Sequence, residues 1–86
     1  MNVTAKVFGS FLEQQVREIR KKEVKISNKE ILVSLKDNSS VSELLRILEI
    51  AEQTGIMCLI NGKIPYFEDK LSDGDKVEII LLVDGG

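Results

Sequence analysis

Apolar and polar positions alternate strictly over Val3-Thr4-Ala5-Lys6-Val7-Phe8, so Val3, Ala5 and Val7 share one face of a first strand that Gly9 ends. Over residues 10 to 22 the period changes. Leu12, Val16 and Ile19 fall at i, i+4 and i+7, and Glu13 with Arg17 makes a favourably oriented i,i+4 pair, which together predict a short amphipathic helix. Glu30-Ile31-Leu32-Val33-Ser34-Leu35-Lys36 is rich in β-formers and predicts a second strand closed by the turn residues Asp37-Asn38-Ser39. Val24 and Ile26 either extend that strand or form a small extra one.

The clearest helix signal follows. Ser40-Val41-Ser42-Glu43 is a capping box, worth on the order of 1 kcal/mol, in which a serine hydroxyl accepts a backbone N–H and the glutamate reaches back. Val41, Leu44, Leu45, Leu48 and Ala51 then recur at helical spacing, and Thr54-Gly55 supplies a left-handed stop. After the apolar run Ile56 to Ile60 comes Asn61-Gly62, a two-residue hairpin turn leading to Lys63-Ile64, and Pro65 marks an edge position. Leu71-Ser72-Asp73-Gly74-Asp75 is a second turn. The last strand, Lys76 to Val83, puts Val77, Ile79, Leu81 and Val83 on one face and Glu78, Ile80, Leu82 and Asp84 on the other.

One wide apolar helix stripe in so small a chain is covered only by a sheet face. The element order therefore predicts an α+β fold: a mixed sheet of four to five strands packed across one main helix, with the last strand beside the first in the sheet's centre. This is the β-grasp arrangement. Residues 1–86 are read as a single domain with a flexible C-terminal tail over 83–86.

The 86 residues bound the function more by what they lack than by composition, which is 43% hydrophobic and 30% charged, as in soluble globular domains. With no histidine, arrangements that need imidazole as base or ligand are excluded. The single cysteine, Cys58, sits in an apolar run and reads as a small core residue, with no partner for an internal disulfide. Asp69, Asp73 and Asp75 lack the spacing of a calcium loop and are explained as turn residues, so no metal is expected.

The net charge of −2 implies neither nucleic acid nor an anionic membrane as partner. No apolar run approaches the roughly 20 residues of a membrane span and no secretory leader is evident, so a cytoplasmic chain is expected. Arg17, Arg20, Lys21, Lys22, Lys25 and Lys29 are six of the twelve Lys and Arg. Without interleaved aromatic residues they read as a solvated loop and helix face in preference to a surface for an acidic partner.

One group stands apart. The chain ends Asp84-Gly85-Gly86 directly after an apolar strand. A carboxylate carried on two residues without side chains enters a slot too narrow for a Cβ, and Val83 to Gly86 extended spans roughly 13 Å at about 3.3 Å per residue. Gly86 supplies the candidate reactive carboxylate and Gly85 the fit. Strand parity turns Phe8, Ile80 and Leu82 away from the helix-covered face, making them candidates, with Val83 and Asp84, for docking a partner.

Leu71-Ser72-Asp73-Gly74-Asp75-Lys76-Val77-Glu78-Ile79, ending in Val83-Asp84-Gly85-Gly86, resembles the sulfur-carrier proteins of the ThiS and MoaD type, MoaD being the small subunit of molybdopterin synthase. Val41 to Leu48 and Ile60-Asn61-Gly62 resemble the same family's helix start and hairpin. Residues 10 to 29 are longer and more basic than that pattern, and Leu81-Leu82 stands where molybdopterin-synthase subunits often carry prolines.

The resemblance implies a ubiquitin-like carrier, not an enzyme, with no cofactor of its own. A ubiquitin-activating-type adenylyltransferase would convert the Gly86 carboxylate to an acyl-adenylate. Sulfide from a persulfide donor would then give a thiocarboxylate for a sulfur-acceptor enzyme such as the molybdopterin synthase large subunit. Consistently, the chain has no Gly-x-x-x-x-Gly-Lys-Ser/Thr loop for ATP. The same ending fits a ubiquitin-like protein modifier, or a carrier for thiamine or tRNA thiolation. A β-grasp interaction module with incidental glycines is the alternative from another class.

Overall fold

The computed structural model describes residues 1–52 and 55–82. The elements run β1 (Asn2–Phe8), α1 (Ser10–Arg17), β2 (Val24–Ser27), β3 (Glu30–Ser34), α2 (Val41–Ile47), β4 (Ile56–Ile60) and β5 (Lys76–Leu81). They form one mixed sheet in the order β2-β3-β1-β5-β4. β1 pairs antiparallel with β3 and parallel with β5, which places the first strand at the centre and the last beside it, as the apolar run of β5 predicts. The extra strand at Val24–Ser27 exists and forms one edge.

Period-two alternation does what it implies. Val3 and Ala5 of β1, Ile31 and Val33 of β3, and Val77 and Ile79 of β5 are buried on one face, in a single core with Leu12 and Val16 of α1 and Val41, Leu44 and Leu45 of α2. The short helix α1 joins the main helix α2 in covering that face, and among the described residues the other face carries no helix.

Both helices are shorter than the sequence predicts. α1 ends at Arg17 instead of continuing to residue 22, but a tight turn carries the chain one step on: Ile19 N–H donates to Val16 C=O at 3.2 Å, and Ile19 stays buried. Glu13 and Arg17 do not form the expected ion pair; the two ion pairs among the described residues are the N-terminal amine with Asp37 and Lys21 with Glu49.

α2 ends at Ile47, eight residues before the expected Gly55. Glu49 takes φ 60, its N–H donates to Arg46 C=O, and Ile50 N–H donates to Leu45 C=O, a paired closure that normally uses glycine. Burial explains the choice. In a continued helix Ile50 would lie about 180° around from Val41, facing solvent. Turning at Glu49 buries Ile50 at 4% exposure and leaves Ala51 exposed instead. The predicted stop at Thr54 lies outside the described residues.

The opposite end of α2 is closed by the loop from the other side of the molecule. Ser40 Oγ accepts from Glu43 N–H at 3.3 Å, Asp69 C=O accepts from Val41 N–H and Phe67 C=O from Ser42 N–H, so the donors a helix start leaves open are met. The 61–75 segment is itself held by turns. Asn61 (φ 50) and Gly62 (φ 86) form the expected two-residue turn, closed by Ile60 and Lys63 exchanging both hydrogen bonds. Its second strand shrinks to that one bridge, and Ile64 and Pro65 lie in no strand.

Candidate functional site

β1 and β5 run in parallel and end together. Phe8 pairs with Ile80, and Ile80 pairs across to Met57 of β4, so one row of the helix-free face is apolar. Phe8 is 44% exposed and Leu82, just past β5, 61% exposed, while Ile80 and Met57 are half-buried. The three docking residues proposed from strand parity thus lie at one end of the open face, where the chain leaves β5. Met57 joins them. Parity alone did not place it, because an all-apolar run such as Ile56 to Ile60 does not show which residues face out until its register with β5 is known.

Leu59, opposite Glu78, lies one row further in on the same face. The rest of that row is charged, Lys6 being opposite Glu78 on its other side. The helix and loop of the basic segment pack on the opposite side of the sheet and leave this row open.

Two neighbours fix the root of the tail. Leu82 N–H donates to Gly55 C=O at 2.7 Å. On the other side Gly9, at φ 124, is so close to Leu81 that a Cβ there would stand 2.8 Å from the Leu81 Cβ. Gly9 was legible in sequence only as a strand breaker; its contact is with a residue at the other end of the chain. Val83, Asp84, Gly85 and Gly86 lie outside the described residues.

The two turn motifs are one structure. Asn61 Nδ2 donates to Asp75 Oδ1 at 3.1 Å, Lys76 N–H donates to Asn61 Oδ1 at 3.0 Å, and Ser72 N–H donates to Asp75 Oδ2 at 2.8 Å. Asp73 accepts from Asn2 N–H and Asp69 from Tyr66 N–H. Asp69 and Asp75 each accept from the N–H three residues earlier, as turn residues do, whereas Asp73 holds the start of β1; no metal-holding group occurs among the described residues. Cys58 is buried in β4, and burial pushes its thiol up to about 11, which leaves it protonated and a poor nucleophile at neutral pH. Among the described residues no helix is long and apolar enough to cross a membrane.

Part of the basic segment is structural. Lys21 Nζ donates to Ile47 C=O at 2.9 Å and lies 3.5 Å from the Glu49 carboxylate, so it closes the C-terminus of α2, where a cation opposes the helix dipole favourably. Arg20 donates to the carbonyls of Arg17 and Ile19 at the end of α1.

A five-stranded mixed sheet with parallel first and last strands, helices on one face and an apolar row at the tail end of the other defines a ubiquitin-like β-grasp protein. The ThiS family model matches residues 14–86, and the chain belongs to that family, whose members are small carrier proteins rather than enzymes. No curated protein matches it in sequence.

Solved structures match the fold. SAMP1 from Haloferax volcanii superposes with a TM-score of 0.73 at 16% identity, covering 100% of both chains. A putative molybdopterin converting factor, subunit 1, from Pyrococcus furiosus gives 0.72 at 18% identity over 96% of this chain and 99% of that one. The H. volcanii HVO 2177 protein gives 0.69 at 24% identity over 100% of this chain and 87% of the other.

Proposed function

We propose that this chain is a cytoplasmic sulfur carrier that works through the carboxylate of Gly86. An activating enzyme of the ubiquitin-activating type joins that carboxylate to AMP, releasing pyrophosphate from ATP. Sulfide, released from a persulfide donor by a reducing thiol, then attacks the carbonyl carbon and displaces AMP, leaving a thiocarboxylate on Gly86. The observation that carries this reading is the apolar patch at the end of β5, where exposed Phe8 and Leu82 flank half-buried Ile80 and from which Val83 to Gly86 follow directly in sequence. A partner seated on that patch would have the last four residues within reach of its active site. Val83 and Asp84 join the docking contact, Gly85 passes the narrow entry, and Gly86 presents the reacting atoms.

Membership of the ThiS family supports the carrier role, and the absence of histidine and of a nucleotide loop fits a chain that is acted upon. For the acceptor we favour a molybdopterin synthase large subunit, supported by the fold shared with a putative molybdopterin converting factor subunit.

Incubation with an activating enzyme, ATP and a sulfur source should give an intact mass shifted by one oxygen-to-sulfur exchange, located at Gly86. Gly86→Ala should lose the exchange. An unchanged mass with every competent activating enzyme would sink the reading. The fold shared with small archaeal modifier protein 1 of H. volcanii favours a second outcome, isopeptide adducts from Gly86 to lysines of other proteins.

A further inference from the structure

β1 outruns its neighbour. Pairing with β3 ends at Ala5 and Ile31, yet β1 continues to Phe8, and α1 passes over the gap this leaves. The result is a cleft of about 250 Å³ between α1, the end of β1 and the tip of the β2–β3 hairpin. Val16 and the partly exposed Ile26 give it an apolar floor, and Lys6, Arg17 and Lys29 stand around it with Glu13 as the single carboxylate. None of the three cations belongs to either ion pair found among the described residues. Unlike Arg20 and Lys21, which close helix ends, Arg17 and Lys29 have no such task for their side chains in the fold.

We propose that this cleft receives an acidic segment of the partner protein, carrying one apolar anchor residue flanked by Asp or Glu. Charge is the argument: three cations against one carboxylate around an apolar floor complement carboxylates around an apolar side chain. Continuity is the second. Phe8 lines both the cleft and the docking row of the open face, so one partner covers both without a break. The inference rests on the carrier reading in taking the partner to be the protein that docks at Phe8. It adds the chemistry of that partner's contact and gives the basic segment a role beyond solvation.

The test uses the full chain, labelled with nitrogen-15, and the acetylated peptide Asp-Glu-Leu-Asp-Glu as probe at low ionic strength. Saturable shifts are expected at Lys6–Phe8, Val16–Arg17 and Ile26–Ile31. The Arg17→Glu/Lys29→Glu variant should weaken the apparent affinity about tenfold, the scale expected for losing two rim ion pairs. Lys36→Glu/Lys70→Glu, with the same change of net charge, should titrate as wild type. No shift at millimolar peptide, shifts spread over all lysines, or equal weakening by both variants would overturn the proposal. In the adenylation assay the Arg17→Glu/Lys29→Glu chain should raise KM with kcat unchanged. Failure of wild type to be adenylated would count against the carrier reading alone, because the peptide titration decides the cleft separately.

Discussion

Gly9 is the residue on which the geometry of the tail's root turns. Its φ of 124 is a conformation essentially reserved for glycine, and any Cβ would meet Leu81 at 2.8 Å. Gly9→Ala is therefore expected to cost about 2–3 kcal/mol, read as a lowered urea midpoint, because strain and overlap act together. A midpoint within experimental scatter of wild type would mean the β1–α1 junction relaxes freely. The sequence marks the glycine but not its reason, since the steric partner lies on β5. Phe8, Ile80 and Leu82, by contrast, were legible: strand parity is local, and it pointed them outward correctly.

At the scale of elements, turns carry information that propensity does not. Asn61 and Asn28 both sit in hairpin turns at positive φ, 50 and 56, but only Asn61 uses its side chain to bind the start of β5. Replacing either by alanine incurs the left-handed penalty of about 1 kcal/mol, and Asn61→Ala loses two further hydrogen bonds. Urea denaturation should show Asn61→Ala to be the more destabilised by about 1–2 kcal/mol; equal losses would show that the link to Asp75 and Lys76 contributes nothing. Element ends were less legible. The apolar stripe of α2 predicts its existence and its buried face, but the stop at Glu49 follows from burying Ile50, a tertiary demand invisible in a window of helical spacing. The basic segment divides in the same way. Its composition reads as one solvated run, and only the folded chain separates Lys21, which closes α2, from Arg17 and Lys29, which flank the cleft.

For the whole molecule, the decisive inference from sequence is that β5, a near-continuous apolar run without Pro or Gly, belongs inside the sheet, and the order β2-β3-β1-β5-β4 bears it out. The apolar row Phe8–Ile80 could be placed because it depends on that topology. The cleft could not, because it arises from β1 extending past β3, a matter of register between strands far apart in sequence. Stability should follow the same map. Interior amides of β1 and β5, between two partners each, are expected to exchange with solvent only through global unfolding, of about 5–10 kcal/mol for a domain this size. Ile64, Phe67 and Glu68, in the exposed loop, should exchange by local opening. Hydrogen exchange that protects the loop as well as β1 would contradict this order.

The parallel pairing of β1 with β5 also bears on how the chain is made. β1 is the first strand to leave the ribosome and β5 the last of the five, so the inner edge of β1 waits without its neighbour until Lys76 to Leu81 have been synthesised. Until then Phe8 has no Ile80 beside it. A chain cut short before Lys76 would lack this row, so a protein that bound the folded chain through Phe8 and Ile80 would be expected not to bind the shortened one.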